Sequence, residues 1–134
     1  VYIDHSHIRE DSIDELKAGV QRLVGFIDAR EPQLIMYGFY IDEDAARMTV
    51  VAVHPDSESL ERHMEIGSGE FRKLAHLITL TAIECYGRPS ERALEQLGES
   101  RRTRRRWRGY FHRAICGVRA PRSRHLSARW VILP

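Results

Sequence analysis

LIMYGFYIDEDAARMTVVAV, residues 34–53, decides the fold. Leu34 to Ile41 is a run of aromatic, β-branched and long apolar side chains, and Met48 to Val53 is a second such run. Asp42-Glu43-Asp44 between them has the composition of a short turn, so the stretch predicts an antiparallel hairpin of strands 34–41 and 48–53. Neither strand alternates cleanly between apolar and polar residues. A sheet with one face in water would show that alternation, so both faces of this hairpin are expected to be covered.

Upstream, VYIDHSHIR (residues 1–9) interleaves polar with β-branched and aromatic residues and reads as a first strand. Ser12 with Glu15 three residues on has the spacing of a capping box, and Ile13, Leu16, Val20, Leu23, Val24 and Ile27 then form one helical stripe. That helix is expected to reach about Ala29. Glu31-Pro32 stops it, because the proline ring denies its predecessor helical geometry. Downstream, Asp56 or Ser57 caps a second helix over residues 57–65, which Gly67 and Gly69 are expected to interrupt. Residues 77–86, LITLTAIECY, form a last strand, and Ser90 opens a short helix that Gly98 is expected to end. The order β-α-β-β-α-β is the split βαβ, or ferredoxin-like, α+β arrangement. Two helices cover only one face of such a sheet. The other face then needs a second copy of the chain, sheet against sheet, so a homodimer is expected.

The 134 residues, 43% hydrophobic and 30% charged, suit one globular domain. No apolar stretch approaches the roughly 20 residues of a membrane helix, and the start has no signal-peptide pattern, so neither membrane attachment nor secretion is expected. Cys85 and Cys116 make neither a metal-ligand spacing nor a disulfide framework, which fits a reducing cytoplasm. The net charge of +2 conceals two unlike parts. Residues 1–99 hold all 19 acidic residues with 10 of the 21 Lys and Arg, a net −9, whereas residues 100–134 carry 11 arginines and no Lys, Asp or Glu. The chain therefore divides into a domain at 1–99 and an Arg-rich extension at 100–134.

Arg30-Glu31-Pro32, Tyr37-Gly38-Phe39-Tyr40, the strand Met48 to His54, Asp56, Ser59-Leu60 and His63 together resemble the antibiotic biosynthesis monooxygenase-like domains of the dimeric α+β barrel superfamily. The resemblance covers about residues 3 to 87. It implies a homodimer whose subunits each hold a ligand cavity between sheet and helices, in a family that includes cofactor-free oxygenases, haem-degrading enzymes and members without known activity. The sequence departs from that pattern at His54, where many relatives have an aromatic residue. Haem would call for an Asn on the first strand and a Trp on the helix beside His63 or His76, and neither is present; an organic ligand ranks above it.

Cofactor-free oxygenation needs a base that strips an acidic substrate proton, and a neutral imidazole suits that task near neutral pH. His5 and His7 share one face of the first strand. Either is a candidate base, with Tyr37 or Tyr40 orienting an aromatic or quinone-like substrate and His63 a further candidate on the second helix. His5-x-His7 with His54 or His63 also matches a metal spacing, but the acidic residues at an obvious partner spacing are only Asp4 and Asp56, and Asp4 points to the opposite strand face. The simpler alternatives are a backbone-bonded His5 and His7, a His63 packed against the sheet, an Asp56 cap, a solvated Glu84 and a buried, inert Cys85. In the extension, arginines interleaved with Trp107, Tyr110 and Phe111 suit nucleic-acid binding, docking on the acidic domain, or an inert segment of the kind a reading-frame error produces.

These readings converge on a small-molecule-binding protein of the antibiotic biosynthesis monooxygenase type, a cofactor-independent monooxygenase for an aromatic or quinol-like substrate. Neither a cofactor nor a metal is expected. The alternatives are a non-catalytic dimeric binding or regulatory module and a nucleic-acid binder acting through the arginines.

Overall fold

The computed structural model describes residues 1–102 and the short strand Tyr110–His112. The chain runs β1 (Tyr2–Ile8), α1 (Ile13–Asp28), β2 (Met36–Asp42), β3 (Arg47–Val53), α2 (Ser57–Leu74), β4 (Ile78–Tyr86), α3 (Glu91–Arg102) and β5 (Tyr110–His112). The sheet order is β2-β3-β1-β4-β5, antiparallel throughout except that β5 lies parallel to β4. The first four strands form the ferredoxin-like sheet expected from the element order. The rest of the arginine-rich extension, with a strand expected near residues 128–133, lies outside the described residues.

Period-two alternation sorts the side chains onto the two faces of the sheet. Tyr2, Asp4, Ser6 and Ile8 of β1 are buried beneath the helices, together with Phe39 and Ile41 of β2 and Met48, Val50 and Ala52 of β3. Ile3, His5, His7, Gly38, Tyr40, Thr49, Val51 and Val53 lie on the other face. Two apolar clusters hold the layers together. Leu16, Val20, Leu23 and Ile27 of α1 pack on β2, β3 and the end of α2, whereas Leu60 of α2 and Ala93 and Leu97 of α3 pack on Tyr2, Ala52, Ile83 and Cys85. Leu16 is fully buried at the centre of the first cluster. Leu16→Ala is expected to lower unfolding stability by about 3 kcal/mol, the usual cost of lost burial plus an unfilled cavity. Urea unfolding would register it as a lower midpoint at constant slope.

Three local expectations are corrected. Ser12 does not close a capping box: its backbone (φ −105°, ψ 0°) is not extended as a cap requires, and its hydroxyl donates to the Glu10 carbonyl instead. Asp11, at φ 57°, turns the chain into α1 and leaves Ser12 in that geometry. Helix α2 is not interrupted at Gly67 and Gly69. Each glycine costs about 1 kcal/mol of helix propensity, but burial of Leu60, His63 and Leu74 outweighs that. Gly67 also faces α1, where a Cβ would sit 3.5 Å from Ile27 Cδ1. Helix α3 likewise continues past Gly98 to Arg102, anchored by Ala93 and Leu97.

A β-bulge completes the frame. His5 pairs with Ala82 and Ser6 with Leu80, so Thr81 is the extra residue on β4, and its hydroxyl donates to the His5 carbonyl at 2.9 Å. The bulge resets the alternation, so Leu80 and Ile83 both point toward the helices.

Candidate functional site

Between α2, α3 and the β1–β4 half of the sheet lies a cavity of about 770 Å³, within the usual range for small-molecule sites. Met64, Phe71, Ala75, Ile78, Leu80 and Ile83 give it apolar walls. Its polar end is formed by Tyr2, Asp4, Tyr37 and His63.

His63 is presented by the second turn of α2. That helix starts where expected, because Asp56 is extended and its carboxylate accepts the Ser59 amide hydrogen at 2.8 Å. Glu31 arrives from the turn after α1, held by its amide hydrogen bond to the Ile27 carbonyl at 2.8 Å. The two side chains meet in the interior: His63 Nδ1 is 3.0 and 3.1 Å from the two Glu31 carboxylate oxygens, with Glu31 2% and His63 6% exposed. A carboxylate only accepts, so Nδ1 carries the hydrogen and donates it. This fixes the imidazole ring and, in its neutral form, leaves Nε2 as the nitrogen without a hydrogen.

Tyr37 packs edge-on against His63, with centroids 4.9 Å apart at 73°, and against Phe39 on its other side. Burial, then the negative charges of Asp4 and Glu31, push its phenol far above the ordinary range, so it remains a hydrogen-bond donor at any physiological pH. Tyr2 donates to Asp4 Oδ2 at 3.0 Å, and burial followed by Asp4 raises its phenol as well. The polar end thus combines an oriented imidazole with two neutral phenols, one of them bonded to a buried carboxylate.

Of the four site residues singled out from sequence, the fold brings Tyr37 and His63 together in the cavity and sets His5 and His7 on the opposite sheet face. There His5 Nδ1 contacts Thr49 Oγ1 at 3.1 Å, and Nε2 lies 3.3 Å from Glu84 Oε1, while Glu84 Oε2 accepts from the Tyr86 hydroxyl. Glu84 therefore faces away from the cavity. His76 is exposed and 3.4 Å from Glu15. His63 does not cap a carbonyl but pairs with a carboxylate. Glu31 was legible as a helix stop and as part of the family resemblance but not as a partner of His63, and Asp4 only as the residue facing away from His5 and His7. A signal for Asp4 does exist in the sequence, a carboxylate on the strand face shared with Tyr2 and Ile8. Cys85 is buried and free, and burial raises its thiol. Among the described residues, no three His, Cys, Asp or Glu side chains are grouped to hold a metal ion.

His54 sits 5.2 Å from His63 between ring centroids, and its Nδ1 is 3.1 Å from Ser59 Oγ. Burial first, then His63 and the N-terminal ammonium, lower its pKa from 6.5 to about 4 against an opposing effect of Asp56. The unfolded chain thus takes up this proton more readily than the folded one. Stability from this group is complete above about 6.5 and declines as pH falls toward 4. Urea midpoints should fall more steeply over that window for the wild type than for His54→Gln. Parallel curves would exclude His54 as the source.

The element order, the β2-β3-β1-β4 sheet and the helix-covered cavity define a ferredoxin-like α+β protein. The crystal structure of MupZ from Pseudomonas fluorescens is similar to it, with a TM-score of 0.67, 18% identity, and coverage of 90% of this chain and 93% of that chain. The likeness establishes a shared fold. No protein-family model matches the sequence, and no curated protein does. Among the described residues, no helix is long and apolar enough to cross a membrane.

Proposed function

We propose that the protein is a homodimeric small-molecule-binding protein of the antibiotic biosynthesis monooxygenase type, and that it oxygenates an aromatic, quinol-like substrate without a cofactor. The buried His63–Glu31 pair beside an apolar cavity carries this reading. His63 Nε2 removes the acidic proton of an activated methylene, and Tyr37 donates to the oxygen on which the negative charge collects. The resulting electron-rich anion is oxidised by dioxygen through a hydroperoxide. In balance, R₂CH₂ and O₂ give R₂C=O and H₂O, so dioxygen supplies the only oxidant. Glu31 holds the imidazole in place and is a positioning residue.

Oxygen uptake with an anthrone-type substrate tests the reading. One O₂ consumed per ketone formed is expected, undiminished by a chelator. A substrate that binds in the cavity without oxygen uptake would leave a non-catalytic binding module instead. His7→Ala, altering an exposed residue across the sheet, should leave the rate unchanged.

The dimer is supported by the composition of the open sheet face, where Ile3, Val51, Val53 and Tyr40 form an apolar strip continuous with exposed Met36 and Ile35. A second copy packed sheet to sheet would cover it.

A further inference from the structure

The cavity is elongated, and its two ends differ in chemistry. Helix α2 returns from the end of β3 and so runs in the same sense as β1. His63 stands near the start of α2 and Arg72 in its last turn, nine residues on, a separation of about 13 Å at the helical rise. Along β1, Tyr2 and Asp4 flank the His63 end and Arg9 follows the strand at the other. Strand β4 runs oppositely and agrees: Ile83 pairs with Asp4, and Ile78 pairs with Ile8 next to Arg9. Of these residues, Tyr2, Asp4, Arg9, His63, Arg72, Ile78 and Ile83 line the cavity.

We propose that Arg9 and Arg72 form an anion subsite at this far end, taking a carboxylate carried by an elongated aromatic ligand whose reacting carbon lies at His63. The assignment rests on the reading of His63 as the base, and it names the substrate class. The charges around the cavity support it. Of the two acidic residues that line the cavity, Asp4 stands at the His63 end and Glu65 is held by the Arg92 guanidinium, while Lys73 nearby pairs with Glu70. Neither Arg9 nor Arg72 has a carboxylate partner among the described residues, although residues 1–99 carry a net negative charge. Helix-end stabilisation would account for Arg72 alone, not for Arg9, which belongs to no helix. Guanidinium groups bind carboxylates with paired, directional hydrogen bonds. Between the two ends Met64, Phe71, Leu80 and Ile83 supply apolar wall beside Glu65 and Ser68, which suits fused rings or a hydrocarbon spacer.

Fluorescence titration of the full chain with 4-(1-pyrenyl)butyrate and 4-(1-pyrenyl)butanol tests the subsite. The acid is expected to bind about 5–10-fold more tightly than the alcohol, the modest gain of two partly solvated ion pairs. Added salt should shrink the difference. Arg9→Gln and Arg72→Gln should each weaken the acid about 3-fold, leave the alcohol unchanged, and together erase the preference. Both arginines are exposed, so neither substitution disturbs the core. Equal affinities for acid and alcohol would overturn the proposal, and so would a preference that survives the double substitution, since the anion would then lie on the C-terminal arginines. His63→Gln should retain the acid preference even when oxygen uptake is lost, so failure of the base and failure of the subsite are read separately.

Discussion

Glutamine in place of His63 is expected to lower turnover of a quinol-type substrate by about 10²–10⁴-fold, the usual worth of a positioned general base, while substrate affinity changes little. The amide keeps much of the imidazole's volume and offers a donor to Glu31, so the cavity wall and the buried carboxylate keep their packing partner. What it lacks is a basic nitrogen on the cavity side. A residue that merely packs α2 against the sheet would show the opposite pattern, with weaker binding and a lower thermal midpoint but a normal rate for substrate that does bind. Chemical rescue separates the two roles more sharply. His63→Ala opens a space of imidazole size next to Tyr37 and Gly67, and free imidazole at millimolar concentration should restore part of the rate if the lost group was the base. Unchanged kcat in His63→Gln, or no rescue in a folded His63→Ala, would remove the proton-transfer role. Glu31→Gln should fall between these cases. It retains a hydrogen bond to Nδ1 and loses the charge that stabilises the imidazolium once the proton has moved.

How much of this could be read from the residues alone depends on the distance over which each feature is decided. The hairpin at 34–53 and the stripe from Leu16 to Ile27 follow from short-range periodicity, and both appear where expected. The ferredoxin-like order needed nothing more. Gly67 and Gly69 misled because helix propensity is local, whereas the burial that carries α2 through them comes from Ile27 and the sheet. Ser12 and Glu15 had the right spacing for a capping box, but the positive φ at Asp11 left Ser12 in the wrong conformation to form one. The site was less legible for the same reason. Glu31 meets His63 only because α1 and α2 pack side by side, with 32 residues of sequence between the partners. Sequence spacing placed His5 and His7 on one strand face; which face looked toward the helices was decided by Tyr2, Asp4, Ser6 and Ile8. The bulge at Thr81 then turned both Leu80 and Ile83 into the cavity, a change no strict period-two reading contains.

Glutamate in place of Val51 is the second substitution expected to have a large effect, and it acts on the other face of the same sheet. Val51 lies at the middle of β3, paired with Ile3 of β1 on one side and Gly38 of β2 on the other, so it is central to the apolar strip. In a two-fold dimer packed sheet to sheet, a central residue approaches its own symmetry mate, and one substitution therefore places two carboxylates in the interface. Each would lose hydration and meet a like charge, a cost of several kcal/mol per ion. Dissociation should increase by at least about 10³-fold, since each factor of ten takes 1.4 kcal/mol. Sedimentation at micromolar concentration should show a dimer for the wild type and a monomer for Val51→Glu. A monomeric wild type, or a variant that stays dimeric, would rule out this face as the interface. The cavity residues Tyr2, Asp4 and Tyr37 project from the sheet toward α2, which carries His63, and away from Val51. The monomeric variant should therefore still bind pyrenylbutyrate, because the residues of the proposed ligand site all belong to one chain, and in the proposed dimer the second copy only covers the sheet.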